Sequence, residues 1–225
     1  MKEQKTNQAA FTEIVFIIDR SGSMAGLEDD TIGGFNSLIE KQKHEPGKAL
    51  VSAVMFEDDC DVVLDRVPLN KVRPLTRRDY TPGGCTALLD AVGGAIHHIG
   101  NLHKYADEKD RPDKTLVVII TDGMENASRR YDFRRVRHMI ERQQKRYRWE
   151  FLFLGANMDA VATAASYGID AHHSVTYQND RIGTNMNYEA VCAAVTHVRS
   201  AKMAAPLGDG WKRDIEARNR GKRRK

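Results

Sequence analysis

Cysteine is scarce in this chain, and its placement excludes more than its number does. Cys60, Cys85 and Cys192 are odd in number, widely separated and form no CxxC pair. A disulfide framework and a cysteine-held zinc are therefore disfavoured, and a reducing compartment fits. Long apolar runs are also missing. The longest falls far short of the ~18 residues of a membrane span. The opening MKEQKTNQAA is polar and lacks the apolar core of a signal peptide. The expectation is a cytoplasmic protein with no membrane span. Two nucleotide-binding motifs are absent, the phosphate-cradling G-x-x-x-x-G-K-[ST] and the dinucleotide G-x-G-x-x-G. No serine stands in an evident nucleophile–base arrangement, and there are no internal repeats. These absences argue against an enzyme.

What is present is the composition of a soluble globular domain. The 225 residues are 41% hydrophobic and 29% charged, enough for one sizeable core. The net charge of +4 is unevenly spread. Residues 211–225 hold eight of the 35 Lys and Arg but only two of the 31 acids. The basic excess belongs to this tail, and the remainder is slightly acidic.

Three segments are expected: a flexible arm over 1–10, a domain over 11–205, and a basic, disordered tail over 206–225. Apolar, β-branched runs at 11–18, 49–56, 115–120 and 150–154 read as buried strands. The acidic Glu57-Asp58-Asp59 reads as a turn, which makes 61–67 the second arm of a hairpin. A short strand is expected near 173–177. Amphipathic helices alternate with these strands. One opens on Glu28, Asp29 and Asp30, where acids suit the positive end of the helix dipole. Others are expected over 86–104, 132–146 and 158–167, the last capped by Asn157 and stopped by Gly168. A final helix carries Tyr188, Val191, Cys192, Val195 and Val198. The pattern predicts a doubly wound α/β fold: a mostly parallel sheet, one antiparallel edge strand, and helices on both faces.

In such folds ligands sit at the carboxyl ends of the strands. Asp19-Arg20-Ser21-Gly22-Ser23 leaves one predicted strand there, and Thr121-Asp122-Gly123 leaves another. Thr86 follows Gly83-Gly84 at the start of a helix. A carboxylate and two hydroxyls at alternate positions can turn their oxygens to one point, as a small hard cation such as Mg²⁺ requires. Each piece has an ordinary reading, since Thr86 suits a helix cap and Asp122-Gly123 a turn. Their joint placement on one sheet edge is what singles them out.

Asp19-x-Ser21-x-Ser23, Thr86 and Thr121-Asp122-Gly123 together resemble the metal-ion-dependent adhesion site of the von Willebrand factor A (vWA) domain, over about residues 11–203. The resemblance implies that Ser21, Ser23 and Thr86 bind the metal through their hydroxyls. It implies that Asp19 and Asp122 act through water or hold those hydroxyls. The implied ion is Mg²⁺, with Mn²⁺ as the alternative, and the implied partner is a protein that presents an Asp or Glu carboxylate. The wording of residues 153–160, FLGANMDA, is similar to small stand-alone vWA proteins of bacteria and phages. The resemblance also implies a partner in an ATPase-associated or stress-response complex, where related cytosolic proteins work.

Further residues carry smaller expectations. Arg20 and Met24 are placed at the site rim. Glu125 and Asn126 either orient site waters or have plain roles, Asn126 as a cap of the following helix and Glu125 as a solvated acid. Cys85 reads as a small buried residue rather than a redox switch. Gly93-Gly94 is a weak point inside a helix unless that helix packs closely on a sheet. The basic stretch from Arg129 to Arg148 reads as a solvated helix face, with Phe133, Val136 and Ile140 turned inward. The alternative function is nucleic-acid binding through this stretch and the basic tail. A metal-dependent hydrolase ranks lower, because the site lacks a base and more charged ligands.

Overall fold

The structure, a computed structural model, describes residues 10–200 and 207–222. Residues 1–9 of the expected arm, 201–205 at the end of the expected domain, and 206 and 223–225 of the expected tail lie outside the described residues. Six strands form one sheet: β1 (Thr12–Asp19), β2 (Ala49–Phe56), β3 (Cys60–Pro68), β4 (Lys114–Thr121), β5 (Glu150–Ala156) and β6 (Ser174–Tyr177). Their order across the sheet is β3-β2-β1-β4-β5-β6. All pairings are parallel except β2 with β3, which form the expected hairpin. The helices are α1 (Glu28–Lys43), α2 (Leu88–Tyr105), α3 (Phe133–Tyr147), α4 (Ala160–Ser166), α5 (Arg181–Ser200) and α6 (Arg213–Lys222).

The continuous apolar strands follow from burial on both faces. Along β1, Ile14, Phe16 and Ile18 point into one core, which α1 and α5 close with Phe35, Leu38 and Val195. Val15 and Ile17 point into a second core, filled from α2, α3 and α4 by Ile96, Ile140 and Ala164. Strands β4 and β5 divide their side chains in the same alternation, as a two-residue period dictates. The sheet order reverses between β1 and β4, which opens a crevice at their carboxyl ends.

Several local expectations change. Helix α2 begins at Leu88 rather than Thr86, so Thr86 stays in the preceding loop. Helix α4 is capped by Asp159, whose carboxylate accepts from Ala162 N. Asn157, the expected cap, instead sits in the loop with φ of 55°. Gly93 is tolerated inside α2 because the Tyr131 ring lies where its Cβ would be. A loop, and not the sheet, makes that close approach.

The largest correction concerns the tail. Residues 209–222 are helical and packed onto the domain. Trp211 and Ile215 are buried in the core beside α5. The β6 strand is an edge, and its outward carbonyls need donors. Lys212 Nζ donates to Ser174 O, Asn219 Nδ2 to Thr176 O, and Trp211 Nε1 to His172 O just upstream of the strand. Basic composition alone reads as a solvated tail; the two apolar anchors and the unpaired strand edge decide otherwise. Trp211→Ala is expected to lower the unfolding free energy by about 3–5 kcal/mol, the usual cost of emptying a tryptophan site. Urea denaturation measures it, and a change below about 0.5 kcal/mol would mean that this segment does not pack on the domain.

Candidate metal centre

The site grows from the buried carboxylate of Asp19 at the end of β1. Its Oδ1 accepts from Ser21 N at 2.7 Å, which curls the chain back after the strand. Its Oδ2 accepts from Thr121 Oγ1 at 2.6 Å, which ties β1 to the end of β4. The Tyr80 hydroxyl reaches across from the third loop and donates to Asp19 O at 2.7 Å. Burial pushes the Tyr80 phenol well above its ordinary pKa, so it remains a donor.

The hydroxyls follow from this turn. Ser21 Oγ lies 3.1 Å from Ser23 Oγ, and Ser23 Oγ donates to Asp122 Oδ1 at 2.6 Å. The buried Thr86 presents its Oγ1 to Gly123, at 2.9 Å from where a Cβ would stand. Any side chain at that position would press on the hydroxyl, so glycine keeps the oxygen cluster open. The structure thus links Asp19, Ser21, Ser23 and Asp122 through short oxygen contacts at the β1/β4 crevice and sets the Thr86 hydroxyl against Gly123, next to Asp122.

Backbone bonds hold the three loops in register. Gly83 N donates to Arg20 O and Gly22 N to Gly84 O, at 2.9 and 3.2 Å. Asn126 brackets Thr86: its Oδ1 accepts from Thr86 N and its own N donates to Thr86 O. It therefore positions a site residue and does not cap the following helix. Glu125, partly buried, braces the loop. Its carboxylate accepts from Leu89 N in the first turn of α2, from Ala127 N and Ser128 N, and from Ser128 Oγ. Asp90 reciprocates by accepting from the backbone N–H groups of Arg129, Arg130 and Tyr131.

Two expected rim residues lie elsewhere. Met24 is buried in the core. Arg20 turns aside to Glu57 and Asp61, at 3.2 and 2.5 Å. Cys85 is exposed rather than buried. The nearby Asp58 carboxylate raises its thiol pKa, which holds it in the less reactive form.

One contributor was not read from the sequence. Asn179, between β6 and α5, donates its Nδ2 to Asp122 Oδ2 at 2.7 Å. It also lies 3.4 Å from Ser23 O. No local motif marks it, because its role depends on which loop the fold delivers to the crevice. Burial, reinforced by the charge of Asp19, raises the Asp122 carboxyl pKa, although Ser23 and Asn179 oppose the shift.

Among the described residues no three His, Cys, Asp or Glu side chains converge as a metal-binding group. A cation at this edge would be held by hydroxyls backed by two carboxylates. The spacing fits that use. Adjacent oxygens in an octahedron with metal–oxygen distances of about 2.1 Å stand about 3.0 Å apart, and Ser21 Oγ and Ser23 Oγ are 3.1 Å apart.

No family model and no curated protein sequence matches the chain. Solved structures do match it in shape. The vWF domain of the type V pili tip protein Mfa5 from Porphyromonas gingivalis aligns with a TM-score of 0.58 at 11% identity, over 86% of this chain and 98% of that one. The chain has the von Willebrand factor A fold. Proximal thread matrix protein 1 of the mussel byssus, described with zinc in its adhesion-site motif, aligns with a TM-score of 0.56 at 15% identity, over 86% of this chain. This chain spans about half of that protein, 48% of its length. Manganese-loaded TRAP protein from Plasmodium vivax gives a TM-score of 0.52 at 15% identity, over 79% and 72% of the two chains. Among the described residues no helix is long and apolar enough to cross a membrane.

Glu125→Ala would strip an acceptor from three loop and helix N–H groups. The expected loss is about 2–3 kcal/mol of stability, read by thermal or urea denaturation. It should come with faster amide exchange at Ala127 and Ser128; unchanged exchange there would show that Glu125 does not brace this loop.

Proposed function

We propose that the chain is a protein-binding module that uses a divalent cation to capture a carboxylate from its partner. The observation that carries this is the Ser21–Ser23 oxygen spacing beside Asp122, in a crevice walled by buried Asp19 and Thr86. In this reading Ser21, Ser23 and Thr86 hold the ion directly, and Asp19 and Asp122 orient the hydroxyls and balance its charge. The ion is Mg²⁺, with Mn²⁺ able to replace it. A bound ion with mostly neutral ligands would keep an electrophilic coordination position for an acceptor oxygen. Ser23 is the exposed member of the set, so the open side of the site faces outward there. The buried walls exclude water from the other sides and strengthen a charged contact.

The partner in this reading is a protein that presents a surface Asp or Glu carboxylate. The wording of 153–160 supports placing the chain with small cytoplasmic vWA proteins of bacteria and phages, beside an ATPase or in a stress-response complex.

Asp122 gives the reading a pH signature. Its folded pKa is raised, so in the metal-free fold its contribution to stability is greatest at acid pH and is lost as pH rises through the folded pKa. A bound cation would compensate the ionised carboxylate, and protons would compete with it on acidification. Saturating Mg²⁺, at about 100 times its Kd, is expected to add about 2.7 kcal/mol. For a domain of this size that is roughly 5–10 °C in Tm. The shift should be present at neutral pH and shrink as pH falls toward the carboxylate range. Asp19→Ala and Thr86→Ala should abolish both the shift and Mg²⁺-dependent binding of an Asp- or Glu-bearing partner, while circular dichroism stays native. Equal partner binding by these variants, or by wild type in excess chelator, overturns the proposal.

A further inference from the structure

The outer face of α3 carries a charge arrangement that the metal site does not use. Between Arg129 and Arg148 the chain has eight arginines and one lysine. Arg137 and Lys145 pair with Glu141, and Arg130 approaches Asp90 at 3.9 Å. Arg129, Arg134, Arg135, Arg142, Arg146 and Arg148 are exposed and form no ion pair among the described residues.

Helix stability does not explain this arrangement. Lys145 and Arg146 in the last turn suit the helix dipole, but the first turn has no acid beyond the Asp132 cap and carries Arg134 and Arg135, where the dipole disfavours cations by about 0.3–1 kcal/mol each. Helix α1 follows the opposite rule, with Glu28, Asp29 and Asp30 in its first turn and Lys41 and Lys43 in its last. Arg142 and Arg146 also face one another at i,i+4, a repulsive spacing for like charges. At 3.6 residues per turn, Arg134, Arg135, His138, Arg142, Lys145 and Arg146 share about 120° of arc. That arc points away from buried Val136 and Ile140. The stripe from Arg134 to Arg146 runs for about 18 Å along the helix axis.

We propose that this face binds nucleic acid through its phosphate backbone. Arginine predominates over lysine, and its planar fork matches phosphate oxygens. The arc has no apolar centre, which a protein interface of ordinary size would need. At the end of the helix the Arg146 guanidinium lies 5.6 Å from the ring centre of half-exposed Tyr147. The contact is independent of the cation edge, since α3 leads away from the crevice after the 123–131 loop.

Fluorescence anisotropy with a labelled duplex of about 20 bp, in chelator, tests the proposal. Binding is expected at about 50 mM salt and should weaken by about 10²–10³-fold at about 200 mM, as four to six phosphate contacts require. The triple variant Arg134→Gln, Arg142→Gln, Arg146→Gln should bind at least about tenfold more weakly and lose about 2.7 from the log–log salt slope. Its melting curve should stay native, because all three side chains are exposed. Asp19→Ala should bind the duplex like wild type, which separates this surface from the metal site. Three outcomes overturn the proposal: no binding at low salt; wild-type binding by the triple variant, which assigns the contact to the C-terminal basic residues; or equally tight binding of a polyglutamate chain, which makes the face a dock for acidic proteins.

Discussion

The buried carboxylate of Asp19 is the interaction on which the rest of the upper edge depends. Burying an ionised group is costly unless its oxygens are satisfied. Here one oxygen takes the N–H of Ser21 and the other the hydroxyl of Thr121. The first bond shapes the loop that carries Ser21 and Ser23. The second fixes that loop against β4, whose next residue is Asp122. Tyr80 then ties the third loop to the same residue through the Asp19 carbonyl. Three loops remote in sequence are thereby referred to a single point.

The opposite requirement, closing the sheet, governs the C-terminal segment. Helix α6 supplies donors to the β6 edge and also reaches the β6–α5 loop, where Arg218 pairs with Asp180 at 2.8 Å. Asn179, next in the chain, holds Asp122. At its other end α5 is anchored by Arg199, which donates to the carbonyls of Gln42, Glu45, Pro46 and Gly47 at the end of α1. The last long helix is thus pinned at both ends, once beside the candidate site and once at the far side of the sheet.

Two surfaces with different physics emerge. The crevice edge concentrates buried oxygens, the feature on which the proposed cation site rests. The α3 face concentrates exposed guanidinium groups, most of them without an ion pair among the described residues, the feature on which the proposed nucleic-acid contact rests. Phe133 marks the boundary of the sequence reading on that helix: it is 41% exposed, although Val136 and Ile140 are buried as expected. It leans on Tyr167 with ring centres 5.1 Å apart, so contact with α4 replaces full burial.

Much of this was legible in the sequence because it is written in local patterns. Two-sided burial demands unbroken apolar strands, so the runs at 11–18 and 115–120 were readable as strands, and the hairpin followed from an acidic turn between two of them. The candidate ligands Asp19, Ser21, Ser23, Thr86 and Asp122 were readable because each follows a recognisable element at a fixed offset. The braces were not. Asn179, Tyr80, Glu125 and Asn126 act across 36 to 61 residues of chain, and nothing near them in sequence names their partners. The tail looked solvated because charge counts are local, whereas the strand edge that captures Trp211 and Lys212 exists only in the assembled sheet. Sequence alone determined which segments must be buried and which oxygens could meet. Tertiary structure decided which side chains hold those oxygens in place, because a hydrogen bond to a buried group depends on distance in space and not on distance along the chain.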